Sequence, residues 1–157
     1  MRTQTSSLLE TAELQAWIRF LRAHAAVTRR FNAELAAAHG LTLNDYDVLV
    51  QLARADGGRL RRVDLAERVL LTPSGITRLL EGLEGAGWVE RVACSSDGRV
   101  SYAQLTDAGR AKLREASNTH LEAVRVLFAE RYDGDDLEQL GELLARLPGN
   151  DADDDCA

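Results

Sequence analysis

The stretch VDLAERVLLTPSGITRLLEGLEGAGWVERVACSSDGRVSYAQLTDAG, residues 63–109, decides how this chain folds. Leu65, Ala66, Val69 and Leu70 recur at helical spacing before a break at Leu71-Thr72-Pro73. Thr72 offers an oxygen to cap the next helix, and Pro73 fills its first position, where a missing N–H costs nothing. In that second helix Ile76, Leu79, Leu80 and Leu83 fall at i, i+3, i+4 and i+7 and form an apolar stripe. Ser74, Gly75, Thr77, Arg78 and Glu81 lie off the stripe. A face of short polar groups with one guanidinium fits a major groove, where base edges are read.

Two short strands are expected next, Trp88–Val92 and Val100–Leu105, both rich in β-branched and aromatic residues. Between them Ser95, Ser96, Asp97 and Gly98 suit a hairpin tip, and Arg99 stands at its end. Thr106 then caps a long helix that opens with Asp107, a favourable charge at a helix N-terminus.

At these residues the chain resembles the MarR family of bacterial transcriptional regulators. The carrying motifs are LAERVLLTPSGITRLLEGLEGAGWVER and DGRVSYAQLTDAG, the latter with the family's D-x-R followed by L-T-x-x-G. Order and length of the flanking helices fit as well, so the resemblance covers nearly the whole chain. It implies a mainly α fold with a small β-wing: a winged helix-turn-helix flanked by N- and C-terminal dimerisation helices. On that basis 1–157 is one domain. Residues 8–40 and 107–148 form the dimerisation helices, 42–106 the winged helix-turn-helix, and 149–157 an acidic tail.

The resemblance also assigns expected roles. Thr72 and Ser74 anchor to phosphate at the start of the recognition helix, where backbone N–H groups favour anions. Thr77 and Arg78 meet base edges, and Gly75 permits close approach. Arg99 enters the flanking minor groove with Asp97 holding its side chain. Arg61 and Arg62 contact the DNA backbone, and Pro73 and Arg91 complete the surface. The expected partners are double-stranded DNA, a second copy of the chain and a small-molecule effector. The expected function is a homodimeric repressor, released from a pseudo-palindromic operator by a small aromatic or anionic ligand.

The flanking helices have their own patterns. Trp17, Ile18, Leu21, Ala25, Thr28, Phe31, Asn32 and Leu35 share one side of a helix ending near His39-Gly40, with Gly40 as its C′ residue. A helix over about Asn44–Ala55 presents Tyr46, Leu49, Val50 and Ala53 and stops at Asp56-Gly57-Gly58. From Asp107 to about Tyr132 the apolar positions are Leu113, Ala116, Leu121, Val124, Leu127 and Phe128. Leu137, Leu140, Leu144 and Leu147 mark a last helix, ended by Pro148-Gly149. A helix of about 25 residues spans ~38 Å, more than a small core needs, so the first and last helices are expected to pack across a symmetric dimer.

Net charge argues the other way. The chain carries −6, whereas a basic footprint is usual for nucleic-acid binding. Within 59–99, however, seven arginines face six acids, while the remainder holds twelve basic against nineteen acidic residues. The acidity therefore lies outside the expected DNA-facing module. With 157 residues, 45% hydrophobic and 5% aromatic, the composition suits one helix-rich domain with its own core. No apolar run approaches the ~20 residues of a membrane span, and MRTQTSSLLE contains no apolar signal region, so the expected address is cytoplasmic.

No enzyme is expected, and no cofactor or metal. His24, His39 and His120 have no HExxH spacing, CxxC is absent, and Ser74-Gly75 lacks the glycine that a nucleophile elbow places before its serine. What remains is sensing. Carried over from the family, a ligand crevice would be lined by Trp17, Leu21, His24, Tyr46 and His120. The two histidines can equally be core or interface residues bonded to backbone carbonyls, or can titrate near neutrality. Cys94, near Arg91 and Arg99, supports an alternative, an oxidant-sensing repressor with a cation-lowered thiol pKa. Family members that sense oxidants commonly carry the thiol near the N-terminus, where this chain has none; Cys156 sits in the tail. The remaining alternative is a winged helix kept for protein contacts without DNA binding.

Overall fold

In the computed structural model, residues 11–69 and 73–149 are described. Leu70, Leu71, Thr72, Cys156 and the acidic tail from residue 150 onward lie outside the described residues. The described chain runs α1 (Ala12–His39), α2 (Leu43–Arg54), β1 (Arg59–Arg61), α3 (Arg62–Arg68), α4 (Pro73–Gly85), β2 (Val89–Ala93), β3 (Ser101–Leu105), α5 (Asp107–Ala129) and α6 (Gly134–Ala145). This is the expected mainly helical fold with a small β-wing.

Helix boundaries follow local chemistry. Gly40 adopts φ 67° and its N–H reaches the Ala36 carbonyl, ending α1 as a left-handed cap. Thr42 and Asp45 form a reciprocal capping box that starts α2. Asp133 caps α6, whose first turn carries Asp135 and Asp136.

The described residues divide into two compact units, one through His120 and one from Leu121 onward. In the first, Leu35, Leu41, Val48, Leu49, Leu52, Leu65, Ile76, Leu80, Val89, Ala103, Leu105 and Ala116 form a single buried cluster. Of the stripe expected on the recognition helix, Ile76, Leu80 and Leu83 are buried and Leu79 is half-buried against the core. On α2 the inward face is rotated from the expected one: Val48, Leu49 and Leu52 are buried, Ala53 is exposed, and Tyr46 and Val50 are half-buried. In the second unit α6 buries none of its residues, and Leu137, Leu143, Leu144 and Leu147 are exposed.

The sheet has three antiparallel strands in the order β1-β3-β2. The strand β1 was not expected from the sequence. Its register pairs Arg59 with Gln104, Leu60 with Ala103 and Arg61 with Tyr102. Cross-strand partners share a face, so Leu60, Ala103 and Leu105 turn toward the core and Arg59, Arg61, Tyr102 and Gln104 turn away.

Candidate nucleic-acid interface and crevice

The recognition helix α4 is held at both sides of its exit. After Gly85 the chain turns through Gly87, at φ 77°, with the Trp88 N–H returning to the Leu83 carbonyl. Thr106, at the end of β3, donates its hydroxyl to the Gly87 carbonyl at 2.7 Å and accepts from the Gly109 N–H at 3.0 Å. Its own N–H bonds the Trp88 carbonyl at 3.1 Å. Gly109 closes this clamp, because a Cβ there would collide with the Trp88 carbonyl oxygen and sit 2.8 Å from Leu105 Cδ1. The L-T-x-x-G motif thus fixes the start of α5 against the turn that leaves the recognition helix.

With Ile76, Leu80 and Leu83 buried, α4 leaves Thr77, Arg78 and Glu81 exposed. Pro73 and Ser74 open the helix, and Gly75 is half-buried in its first turn. The wing tip is closed by a bond from the Cys94 N–H to the Val100 carbonyl and by a turn from Val100 N–H to the Asp97 carbonyl. Asp97 Oδ1 accepts the backbone N–H of Arg99 at 3.0 Å. Asp97 therefore orients the main chain at Arg99. The expected grip on the Arg99 side chain is absent, and among the described residues no carboxylate pairs with that exposed guanidinium.

The remaining arginines differ from one another. Arg61 is held by Asp64 through two bonds, Nε–Oδ2 at 2.8 Å and an Nη2–Oδ1 bond at 3.1 Å, which raise its already high pKa. Arg62 opens α3 half-buried, and one of its guanidinium nitrogens is buried without a hydrogen-bond partner. Arg91 pairs with Ala103 in the sheet, so it projects on the opposite face from Arg59 and Arg61, and it is exposed.

An open crevice of about 700 Å³ lies among α1, α2 and α5 in the first unit, a volume within the usual range for small-molecule sites. His24, Tyr46 and His120 line it, as the resemblance implied. Trp17 and Leu21 are not among its lining residues; they are 55% and 43% exposed. Trp17 lies seven positions before His24, about 10 Å further along the helix axis. The sequence reading missed Arg29, Asn32, Asn44 and Asp47 as lining residues. The signal was present, since His24, Thr28 and Asn32 follow one another at i+4 spacing on α1.

His120 is the group most changed by this setting. Its ring lies 5.0 Å from Phe31 and 4.9 Å from Tyr46, edge-on in both cases. Its Nδ1 is buried without a partner. Burial lowers its pKa, while the charge of Glu34 acts against that shift. Nearby, Tyr46 OH bonds Ser117 Oγ at 3.1 Å and His39 Nε2 bonds Thr119 Oγ1 at 2.8 Å. In the wing, Cys94 Sγ lies 3.1 Å from Ser96 Oγ. Its pKa is lowered by hydrogen bonds from the Ser96 side chain and from the Ser96 and Asp97 backbones. The arginines expected to lower it are not among the causes.

Comparison with known proteins gives the same reading from three directions. A family model described as MarR family matches residues 39–100. The HTH-type transcriptional repressor YetL of Bacillus subtilis (strain 168) is 31% identical over 115 residues, covering 71% of this chain and 68% of that one. Among solved structures, the MarR family regulator AbsC of Streptomyces coelicolor superposes with a TM-score of 0.76 at 32% identity, covering 85% of this chain and 90% of its own. Sco3205, a MarR family regulator from the same organism solved in complex with DNA, gives 0.77 at 33% identity, with 85% of each chain covered.

Proposed function

The chain belongs to the MarR family of DNA-binding transcriptional regulators, and from that membership we propose that it is a cytoplasmic, homodimeric repressor released from its operator by a small anionic or aromatic ligand. The observation that carries the proposal is the division of α4, with Ile76, Leu80 and Leu83 buried and Thr77 and Arg78 exposed. In this reading Thr72, Ser74 and the first-turn backbone of α4 hold phosphate. Thr77 and Arg78 read base edges, and Arg99 enters the minor groove from a wing tip whose main chain Asp97 orients. Arg62 and Arg91 add backbone contacts. Arg61 contributes less than expected, because Asp64 already occupies its guanidinium.

A second copy is supported by large apolar side chains that are exposed on α1 and on α6. Trp17, Phe20 and Leu21 on α1, and Leu137 and Leu143 on α6, are exposed. Scattered exposed apolar residues are ordinary, but runs of them on single helices mark interaction surfaces. Two recognition helices in a symmetric dimer would meet half-sites about one turn of duplex apart.

Release is assigned to the crevice. Arg29, His24 and the Asn32 amide supply donors for an anion, and the aromatic edges of Tyr46 and His120 accept a flat ring. The helix α5 lines the crevice through His120 and begins at the Thr106–Gly109 clamp beside the α4 exit. A ligand that binds one setting of α5 better than the other therefore shifts the recognition helix, by as much as that difference in affinity allows. A second reading rests on Cys94, whose lowered pKa favours a reactive thiolate. If it senses oxidants, peroxide releases DNA from the wild type and not from Cys94→Ser; release from both proteins rules it out.

The deciding experiment is fluorescence anisotropy on DNA flanking the chain's own gene, at two salt concentrations and with non-specific competitor. Competitor-resistant binding that weakens steeply with salt supports a sequence-specific regulator. Candidate aromatic carboxylates then either displace the duplex or remove the ligand from the proposal. Binding no better than to competitor DNA, on this duplex and on selected genomic fragments, rejects the DNA-reading role for a protein-contact module.

A further inference from the structure

The crevice among α1, α2 and α5 holds fixed charges of both signs. Arg29 of α1 and Asp47 of α2 both line it. Arg29 is exposed and Asp47 is half-buried. Neither forms an ion pair among the described residues, with the other or with any further group. Asp47 Oδ1 accepts only a long bond, 3.4 Å, from the neutral amide of Gln51 one turn along its own helix. A partly desolvated carboxylate without a cation is costly, and its charge is available to whatever enters.

The remaining polar groups of the crevice are largely engaged. Thr28 donates its hydroxyl to the His24 carbonyl at 2.6 Å, and the Tyr46 hydroxyl is bonded to Ser117 Oγ at 3.1 Å. Asn32 accepts the Leu43 N–H on its side-chain oxygen at 3.0 Å, which leaves its NH2 group as a donor. Toward a ligand, then, Arg29 and the Asn32 NH2 offer donors that suit a carboxylate. Asp47 offers the opposite. A ligand bearing a carboxylate alone satisfies Arg29 but brings a second negative charge into a crevice of about 700 Å³ that already holds one. A ligand bearing a cation as well satisfies both residues.

We infer that Arg29 and Asp47 make the crevice selective for a zwitterion, an aromatic carboxylate that also carries an ammonium group. The carboxylate goes to Arg29 and the Asn32 amide, and the ammonium goes to Asp47. This rests on the assignment of the crevice as the effector site and narrows the class of ligand named there. Asp47 acts by selection: it rewards the ammonium and penalises a plain acid or a diacid of the same shape.

The test is calorimetric titration of the full chain, free of DNA, with ligands matched in shape. The probes are meta- and para-(aminomethyl)benzoate, the corresponding methylbenzoates, and the hydroxymethylbenzoates. Wild type is expected to bind at least one aminomethyl isomer about tenfold more tightly than its methyl counterpart, the size of a modest charge-assisted hydrogen bond. Asp47→Asn should abolish that preference without weakening the methylbenzoate, and Asp47→Glu should keep part of it. Arg29→Gln should weaken both. Matched thermal unfolding midpoints would exclude misfolding as the cause. A methyl or hydroxymethyl compound that binds as tightly as the aminomethyl one would overturn the proposal. So would a preference that survives in Asp47→Asn, or no binding by either aminomethyl isomer. Operator binding is read separately by anisotropy. A zwitterion that binds with the expected selectivity but leaves the operator complex intact would support the site and overturn release through the crevice. A chain that binds no operator would overturn the DNA-binding reading, while the calorimetric result would still decide the ligand class.

Discussion

Replacing Gly109 by alanine sets two effects of opposite sign against each other. Alanine in place of glycine inside a helix ordinarily stabilises by about 1 kcal/mol. Here the new methyl would collide with the Trp88 carbonyl oxygen, 2.9 Å from its carbonyl carbon and 2.8 Å from Leu105 Cδ1. Leu105 can rotate, but the Trp88 carbonyl is main chain and is tied to the Thr106 N–H at 3.1 Å. Overpacking costs about 1–3 kcal/mol, toward the upper end when the obstacle is backbone, and losing the Thr106–Trp88 bond adds about 1 kcal/mol. The clash wins by about 3 kcal/mol, which at roughly 2–4 °C per kcal/mol for a chain of this size lowers Tm by about 6–12 °C. The matched control is Gly82→Ala in α4, where nothing stands within 4 Å of the added carbon, and that variant should gain stability. Thermal unfolding by circular dichroism reads both. Operator binding of Gly109→Ala, measured well below its Tm, should also fall, because the clamp sets how α4 leaves the core. A Gly109→Ala protein as stable as Gly82→Ala would show that α5 does not start against the Trp88 turn, and would remove the clamp from the mechanism.

The other expectations concern single side chains. Arg99→Ala should weaken operator binding by about 1–3 kcal/mol, the size of a specific contact; unchanged affinity in an anisotropy titration would take the wing tip out of the interface. Arg78→Ala should narrow the gap between operator and scrambled duplex, and an equal loss on both would show that it touches only phosphate. His120 holds a proton less readily in the folded chain than when free, because burial disfavours its charged form. As pH falls below the ordinary histidine range, the unfolded chain takes up the proton first, so folded stability declines. The urea midpoint of wild type should therefore drop further between pH 7.5 and 5.5 than that of His120→Gln; parallel drops would mean that His120 is not desolvated.

Most of the fold was legible because its decisive signals are local. Caps, glycine stops and the stripe on α4 depend on residues a few positions apart, and Gly40, Asp107 and Ile76–Leu83 stand where those rules put them. The strand β1 was not legible. Arg59-Leu60-Arg61 is too short to show alternation, and it becomes a strand only by pairing with Gln104, Ala103 and Tyr102, more than forty positions away. The α2 face was misplaced for a different reason. The run Val48-Leu49-Val50-Gln51-Leu52-Ala53 is apolar nearly all round, so periodicity alone does not choose which side turns inward. On α1 the stripe was real but its meaning was not fixed by spacing. Only Phe31 and Leu35 reach the core, and the residues toward the N-terminal end present the same periodicity to solvent.

The interface and the crevice were legible in kind and less so in detail, because pairing decides what a charged or polar residue is free to do. Asp97 was correctly placed beside Arg99, yet a two-residue separation brings its carboxylate to the Arg99 N–H rather than to the distant guanidinium. Arg61 looked as available as Arg62 until α3 folded and brought Asp64 into a two-bond contact. Cys94 shows the same competition between sequence proximity and bonding. Arg91 and Arg99 are close in sequence, but water screens exposed charges strongly. The Ser96 hydroxyl and two backbone groups, in direct contact with the sulfur, set the thiol's acidity. Substituting Ser96 by alanine should therefore raise the Cys94 pKa more than Arg91→Ala does, as read by the pH dependence of thiol alkylation. The reverse order would return the control of that thiol to the arginines.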